Sequence, residues 1–179
     1  ICHVGSLTYT RGITHLVKAA AQADCTLYLG GAFSPAAYQD EVLSLPEAAH
    51  TRYMGVLNRA QVMQLLQKSQ IGMATILNVG QYNQYDNLAT KVYEYMALGI
   101  PVILSRSSYN EKVTAQYDFG ICVDPANVDE IADAIRYLLD HPDEARQMGE
   151  NGRCAVKEEF NWGVEEKKLL SLYEEVLAK

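Results

Sequence analysis

The sequence predicts an α/β fold: a doubly wound, six-stranded parallel sheet with helices on both faces. Two observations carry this reading. Short apolar runs rich in β-branched and aromatic residues alternate with runs of helical period from the first residue to about residue 123, and helix-capping or turn residues stand at the junctions. Alternation of this kind gives parallel strands joined by crossover helices. The 179 residues are enough for one full hydrophobic core and short for two, so one domain over residues 1–179 is expected.

In chain order, residues 1–4 (Ile-Cys-His-Val) form the first strand, a polar glycine-containing loop runs from Gly5 to Gly12, and residues 13–23 place Leu16, Val17, Ala20 and Ala21 on one helical face. Residues 25–30 are the second strand, and Gly30-Gly31 supplies a turn. Ser34-Pro35 caps and opens a helix reaching about Leu43, because proline is favoured at the first helical position. Residues 51–54 are the third strand, closed by Gly55. Asn58 caps a helix whose Val62, Leu65 and Leu66 face the core, and residues 71–75 are the fourth strand. A polar and aromatic loop follows to Tyr85, long enough to be functional.

Asp86 and Asn87 are good capping residues for the next helix, in which Leu88, Val92, Tyr95 and Met96 recur at helical spacing. Gly99 ends it and Pro101 opens the fifth strand. A helix at 109–116, a sixth strand at 120–123 and a turn at Asp124-Pro125 come next. Asn127 or Asp129 caps a helix carrying Ile131, Ala134, Ile135, Leu138 and Leu139. Pro142 starts another helix to about Glu158, and the last, from Trp162 to Lys179, is charged and amphipathic.

Composition excludes several functions. A net charge of −7 argues against a broad nucleic-acid surface, though a local cluster of Lys and Arg can still bind one phosphorylated small molecule. No apolar run approaches the ~18 residues of a membrane span. Cys2, Cys25, Cys122 and Cys154 show no C-x-x-C pair and no histidine at ligand spacing, so reduced, mostly buried thiols in a cytoplasmic protein are expected, with no metal site. The chain starts at Ile1, already in a strand, and is read as a domain cut from a longer polypeptide.

The chemistry concentrates at the start of the fifth helix. Thr90, Lys91 and Glu94 lie on the stripe opposite its apolar face, and the start of a helix after a parallel strand lies at the carboxyl edge of the sheet, where such folds bind ligands. Lys91 and Glu94 also read as an i,i+3 surface pair contributing ~0.2–0.5 kcal/mol. The first loop has neither G-x-G-x-x-G nor G-x-x-x-x-G-K-[ST], so a dinucleotide or P-loop site is not supported. Its Arg11 is either a phosphate contact or a solvated residue of an ordinary turn. Tyr82 and Tyr85 either stack on a sugar or base or cover the core, and His3 is given a structural role.

Val4-Gly5-Ser6-Leu7 with Arg11-Gly12, Gly30-Gly31, Tyr53-Met54-Gly55-Val56, Lys91-x-x-Glu94-Tyr95-Met96-Ala97-x-Gly99-x-Pro101-Val102-Ile103 and the tail around Phe160-Asn161-Trp162 together resemble the C-terminal donor-binding domain of a retaining glycosyltransferase with the GT-B fold, family 4 or group 1 type. The resemblance covers almost the whole chain, and the Lys91 to Ile103 segment is its specific part. It implies a Rossmann-like sheet and a nucleotide-diphosphate sugar donor, UDP- or GDP-linked, with no other cofactor. It also implies an N-terminal half that binds the acceptor, a glycan, lipid or protein, and offers any peripheral membrane contact.

By the same resemblance, Glu94 accepts from the ribose hydroxyls and Lys91 and Arg11 neutralise the diphosphate. Asp86 stands near the transferred sugar, where many members have Glu. Asn87 and Leu88 present backbone amides to the sugar or phosphate. Gly5 and Ser6 line the phosphate turn, with Ser6 where a basic residue is usual and Arg106 as a candidate replacement. Met54, Gly55, Val56 and Leu57 frame the base. Three alternatives stand beside the transferase: a module of the same fold that has lost catalysis, a nucleotide-sugar epimerase half, and a receiver or flavodoxin-like domain, which Gly5-Ser6 and Gly55-Val56 disfavour by occupying its acidic positions.

Overall fold

The structure, a computed structural model, describes residues 1–80 and 83–177. Six strands, β1 (Cys2–Val4), β2 (Leu27–Gly30), β3 (Thr51–Tyr53), β4 (Gly72–Ala74), β5 (Val102–Ser105) and β6 (Gly120–Val123), pair in parallel in the order β3-β2-β1-β4-β5-β6. The direction of winding reverses between β1 and β4, which opens a crevice at their carboxyl ends. The eight α-helices among the described residues are α1 (Ile13–Gln22), α2 (Ala37–Leu43), α3 (Arg59–Gln67), α4 (Thr90–Ala97), α5 (Ser108–Tyr117), α6 (Val128–Asp140), α7 (Pro142–Glu158) and α8 (Trp162–Leu177).

The alternation of side chains along each strand builds two cores. Leu29, Met73, Ile103 and Val123 join Leu16 and Val17 of α1, Val42 of α2 and Ile131 and Ile135 of α6 on one face. Cys2, Ala74, Val102 and Leu104 join Leu66 of α3, Val92, Tyr95 and Met96 of α4, Val113 of α5 and Ala155 of α7 on the other. Gly72 is what lets Tyr95 lie flat against β4: a Cβ there would stand 2.4 Å from the Tyr95 ring.

Most element boundaries follow the sequence reading, and three depart from it. The second helix begins at Ala37 with Ala36 as its cap, so Pro35 lies before it and not at its first position. Residues Pro46–His50 form a 3-10 turn that the sequence pattern does not announce. α4 begins at Thr90 with Ala89 at its cap, later than Asp86 and Asn87 suggest. The cysteines are all free, but only Cys2 is buried; Cys25 and Cys122 are half-buried and Cys154 is exposed, so the expectation of mostly buried thiols is not met. α8 buries no residue: Trp162 is 68% and Leu177 84% exposed. Among the described residues no helix is long and apolar enough to cross a membrane.

Candidate functional site

Four segments meet at the switch between β1 and β4 and enclose an open cavity of about 630 Å³. The turn after β1 brings Gly5, Ser6 and, from the 3-10 turn Tyr9–Arg11, Arg11. The ends of β4 and β5 form the floor with Ala74, Ile76 and Leu104. α4 and the loop before it bring Asn87, Leu88, Thr90, Lys91 and Glu94, and the first turn of α3 brings Arg59.

Local structure explains why these groups converge. Gly5 holds φ at +130°, its N–H donates to Gly30 O at 2.9 Å, and a Cβ on it would lie 3.3 Å from Lys91 Nζ. Glycine there leaves the ammonium room and allows the turn. Ser105 Oγ accepts from Ile76 N–H at 2.6 Å and donates to Ile76 O at 2.7 Å, so the chain leaving β4 is pinned to β5 before it enters the long loop. Asn83 Nδ2 donates to Ile76 O at 2.8 Å and closes that loop back on the strand. Asn110 Nδ2 donates to Ser105 O at 2.8 Å and completes the floor from α5.

Lys91 and Glu94 do not pair with each other. Glu94 Oε1 accepts from Arg59 Nη1 at 2.6 Å, and Lys91 Nζ lies 2.9 Å from His3 Nε2. Partial burial is the main reason that the Lys91 ammonium is pushed down to about 7, and the positive charge of Arg11 adds to it, while Cys2 and Glu94 oppose it. The fully buried His3 is held well below the usual imidazole value by the same burial and by the charges of Lys91 and Arg11, so it is a neutral ring at physiological pH. Tyr95, under this edge, has its hydroxyl against the Val4 N–H at 3.3 Å and is raised well above the usual phenol value, chiefly by burial.

Of the residues singled out in the sequence, the cavity is lined by Gly5, Ser6, Arg11, Asn87, Leu88, Lys91 and Glu94, and by Tyr85. Asp86 is exposed in the loop and is not among the lining residues. Nor are Gly55 and Val56: Gly55 O accepts from Gly31 N–H at 2.8 Å and Val56 is 74% exposed. The Asn87 amide donates to Tyr85 O at 2.8 Å and is not open to a ligand, while Thr90 and Lys91, the first two residues of α4, both line the cavity. Arg106 is not a substitute for a basic residue at position 6: it pairs with Glu130 and Glu111, away from the cavity. Tyr82 lies outside the described residues.

Arg59, Asn83 and Asn110 are lining residues that the sequence reading passed over. A signal for Arg59 was present, since capping by Asn58 puts it in the first turn of a helix that follows a parallel strand, at the same sheet edge. Three basic side chains, Arg11, Arg59 and Lys91, the start of α4 and the Glu94 carboxylate around one crevice suit an anion flanked by hydroxyl groups. Among the described residues no group of three or more His, Cys, Asp and Glu side chains is placed to hold a metal ion.

A family model described as glycosyl transferases group 1 matches residues 1–154. The MMP alpha-(1->4)-mannosyltransferase of Mycolicibacterium hassiacum is 27% identical over 177 residues, covering 94% of this chain and 41% of that protein. Among solved structures, sucrose-phosphate synthase from Thermosynechococcus elongatus superposes with a TM-score of 0.83 at 24% identity, over 99% of this chain and 45% of that one. HepE from Anabaena, solved in complex with UDP, gives 0.80 at 17% identity over 97% and 48%. The chain thus spans a little under half the length of these relatives.

Proposed function

The chain belongs to the glycosyl transferases group 1 family, and from that premise we propose that it is the donor-binding half of a hexosyltransferase that transfers a sugar from a nucleotide diphosphate to an acceptor with retention of configuration. The observation that carries the proposal is the convergence of Arg11, Lys91 and Glu94 on one cavity at the sheet's carboxyl edge, beside the first amides of α4. HepE carries UDP on the same fold, and the Corynebacterium glutamicum relative is named as GDP-mannose-dependent. Both donor types present a diphosphate between a ribose and a hexose.

In this reading Glu94 accepts from the two ribose hydroxyls through the carboxylate lone pairs that Arg59 leaves open. Arg11, Lys91 and the Thr90 and Lys91 amides face the diphosphate. As the glycosidic bond breaks, negative charge builds on the leaving phosphate, and fixed positive groups already in place stabilise that charge more than the bound ground state. Ser6 offers a hydroxyl in the phosphate turn. The acceptor is a glycan, lipid or protein held mainly by a further domain.

Calorimetric titration with UDP, GDP and ADP, repeated with Lys91→Ala and Glu94→Ala, tests the reading. Loss of one charge-assisted contact of roughly 1.5–3 kcal/mol weakens binding ~10- to 100-fold in each variant. Nucleotide binding that both substitutions leave unchanged would move the site elsewhere and overturn the assignment. A second reading, a nucleotide-sugar-binding module without transfer activity, draws on the exposed position of Asp86 outside the cavity lining. Donor binding without release of free nucleotide in the presence of any acceptor class would favour it.

A further inference from the structure

Among the described residues Lys91 forms no ion pair. The neighbour nearest to hand is a histidine, with Nζ and His3 Nε2 2.9 Å apart, and the one carboxylate on its own helix face, Glu94, is engaged by Arg59. His3 is the middle residue of β1 and fully buried; its other ring nitrogen, Nδ1, makes no hydrogen bond of full geometry, although the backbone of Met73 and of Ser6 lies close enough to the ring to favour its proton. Two protonation states fit this pair. An ammonium donates to Nε2, which forces the ring proton onto Nδ1, where the backbone of Met73 and Ser6 gives it no hydrogen bond of full geometry. A neutral amine accepts from Nε2–H and leaves Nδ1 as a bare lone pair, the cheaper group to bury unpaired.

We propose that His3 is a positioning residue that holds the Lys91 amino group at the phosphate end of the cavity and shares a proton with it, so that docking of a sugar-nucleotide diphosphate draws one proton from solvent onto Lys91 Nζ. This rests on the donor-site reading above. The groups facing the pair favour it. Arg11 approaches from the turn before α1 and repels a second cation, while Cys2 of β1 and Glu94 of α4, the latter shared with Arg59 of α3, oppose it only in part. A diphosphate supplies the counter-charge that the protein does not, and the ammonium form then prevails.

The sign follows from the direction of the change. Lys91 titrates at about 7 before binding and higher once the diphosphate is docked, so full affinity is present below the free value and is lost as pH rises through it. For a fully protonated bound state this gives an uptake of about half a proton at pH 7 and an affinity that falls about tenfold between pH 6 and pH 8.

The test is calorimetric titration of the protein with UDP-glucose and with GDP-mannose, in two buffers of different ionisation enthalpy, at pH 6, 7 and 8. Sugar nucleotides are the right probes because the sugar ester removes the terminal phosphate proton that otherwise titrates near ~6. Proton uptake near one half at pH 7, with the tenfold loss of affinity, supports the proposal. Binding that is weakened by Lys91→Ala yet takes up no proton and does not vary with pH overturns it and leaves the donor reading standing. Failure of both probes to bind overturns the two together.

Variants add an independent arm. His3→Phe removes the partner of Nζ and moves the midpoint of the affinity profile, and His3→Gln, whose amide reaches roughly the place of Nε2, restores it. A loss of affinity in His3→Phe that is equal at all three pH values would assign His3 a packing role only and overturn the proposal. Should His3→Phe fail to fold, the buffer comparison on the unaltered protein decides alone.

Discussion

Replacing Gly31 by alanine tests the way three βα turns interlock beneath the cavity. Gly31 sits at φ +145°, and a Cβ on it would lie 1.8 Å from Gly5 O and 2.8 Å from Gly5 C. Both are backbone atoms, so no side chain can swing aside. The positive φ costs about 1–2 kcal/mol for an L-residue, and forcing the two turns apart costs a further ~1–3 kcal/mol as overpacking does. The sum, roughly 2–5 kcal/mol, is a large share of the 5–15 kcal/mol of a typical domain and lowers the thermal midpoint by about 4–20 °C. Gly55→Ala is the control: its φ is +70°, but nothing lies within 4 Å of the added Cβ, so only the backbone cost applies. Thermal and urea unfolding followed by far-UV circular dichroism read both. A loss in Gly31→Ala no larger than in Gly55→Ala would refute the contact between the turns. Since Gly5 is the residue next to Lys91 Nζ, Gly31→Ala also weakens sugar-nucleotide binding, and Gly55→Ala does not.

Two further substitutions probe the ends of the argument. Asn58→Ala breaks a capping box in which Asn58 Oδ1 accepts from Gln61 N–H at 3.0 Å and Gln61 Oε1 accepts from Asn58 N–H at 2.9 Å; it costs ~0.5–2 kcal/mol in urea unfolding, and because Arg59 is the next residue, it loosens the Arg59–Glu94 pair as well. Leu172→Ser on α8 changes stability by less than about 0.5 kcal/mol, since Leu172 is 56% exposed; a loss well above that would show that this face is covered in solution.

How much was legible follows from the range over which each signal acts. β6 was read with its observed bounds, the cap at Asn58 and the stop at Gly99 were correct, and of the two caps offered for α6, Asn127 and Asp129, the structure has Asn127, because capping and turn chemistry act within a few residues. The start of α4 was misplaced for the same reason inverted. Leu88 is buried and at helical spacing from Val92, yet it is buried from the loop, whose path is set by Ser105, Asn83 and the Asn87–Tyr85 hydrogen bond. Lys91 and Glu94 were legible as a polar stripe on an otherwise apolar helix. Their partners were not: His3 and Arg59 stand 88 and 35 residues away in sequence, and only the sheet order brings them to the same edge. Arg106 failed as a phosphate ligand for the converse reason, since proximity to the strand end says nothing about the two carboxylates of α5 and α6 that claim it.

The net charge of −7 and an anion site are compatible because the two act at different ranges. At physiological salt the screening length is about 8 Å, so acidic side chains on the outer faces of α6, α7 and α8 are largely screened from the cavity, whereas Arg11, Lys91 and the α4 amides act across a few ångströms in a partly desolvated crevice. Glu94 and Arg59 cancel there. Beside them stand Arg11 and Lys91, which burial and Arg11 together bring to about 7. With serine and not a basic residue at position 6, Lys91 is the basic group of this pair whose charge its surroundings poise near neutrality. In the donor-site reading proposed above, protonation of a single amine adds a positive charge at the phosphate end, and the residue proposed to hold that amine is the buried His3, 2.9 Å away.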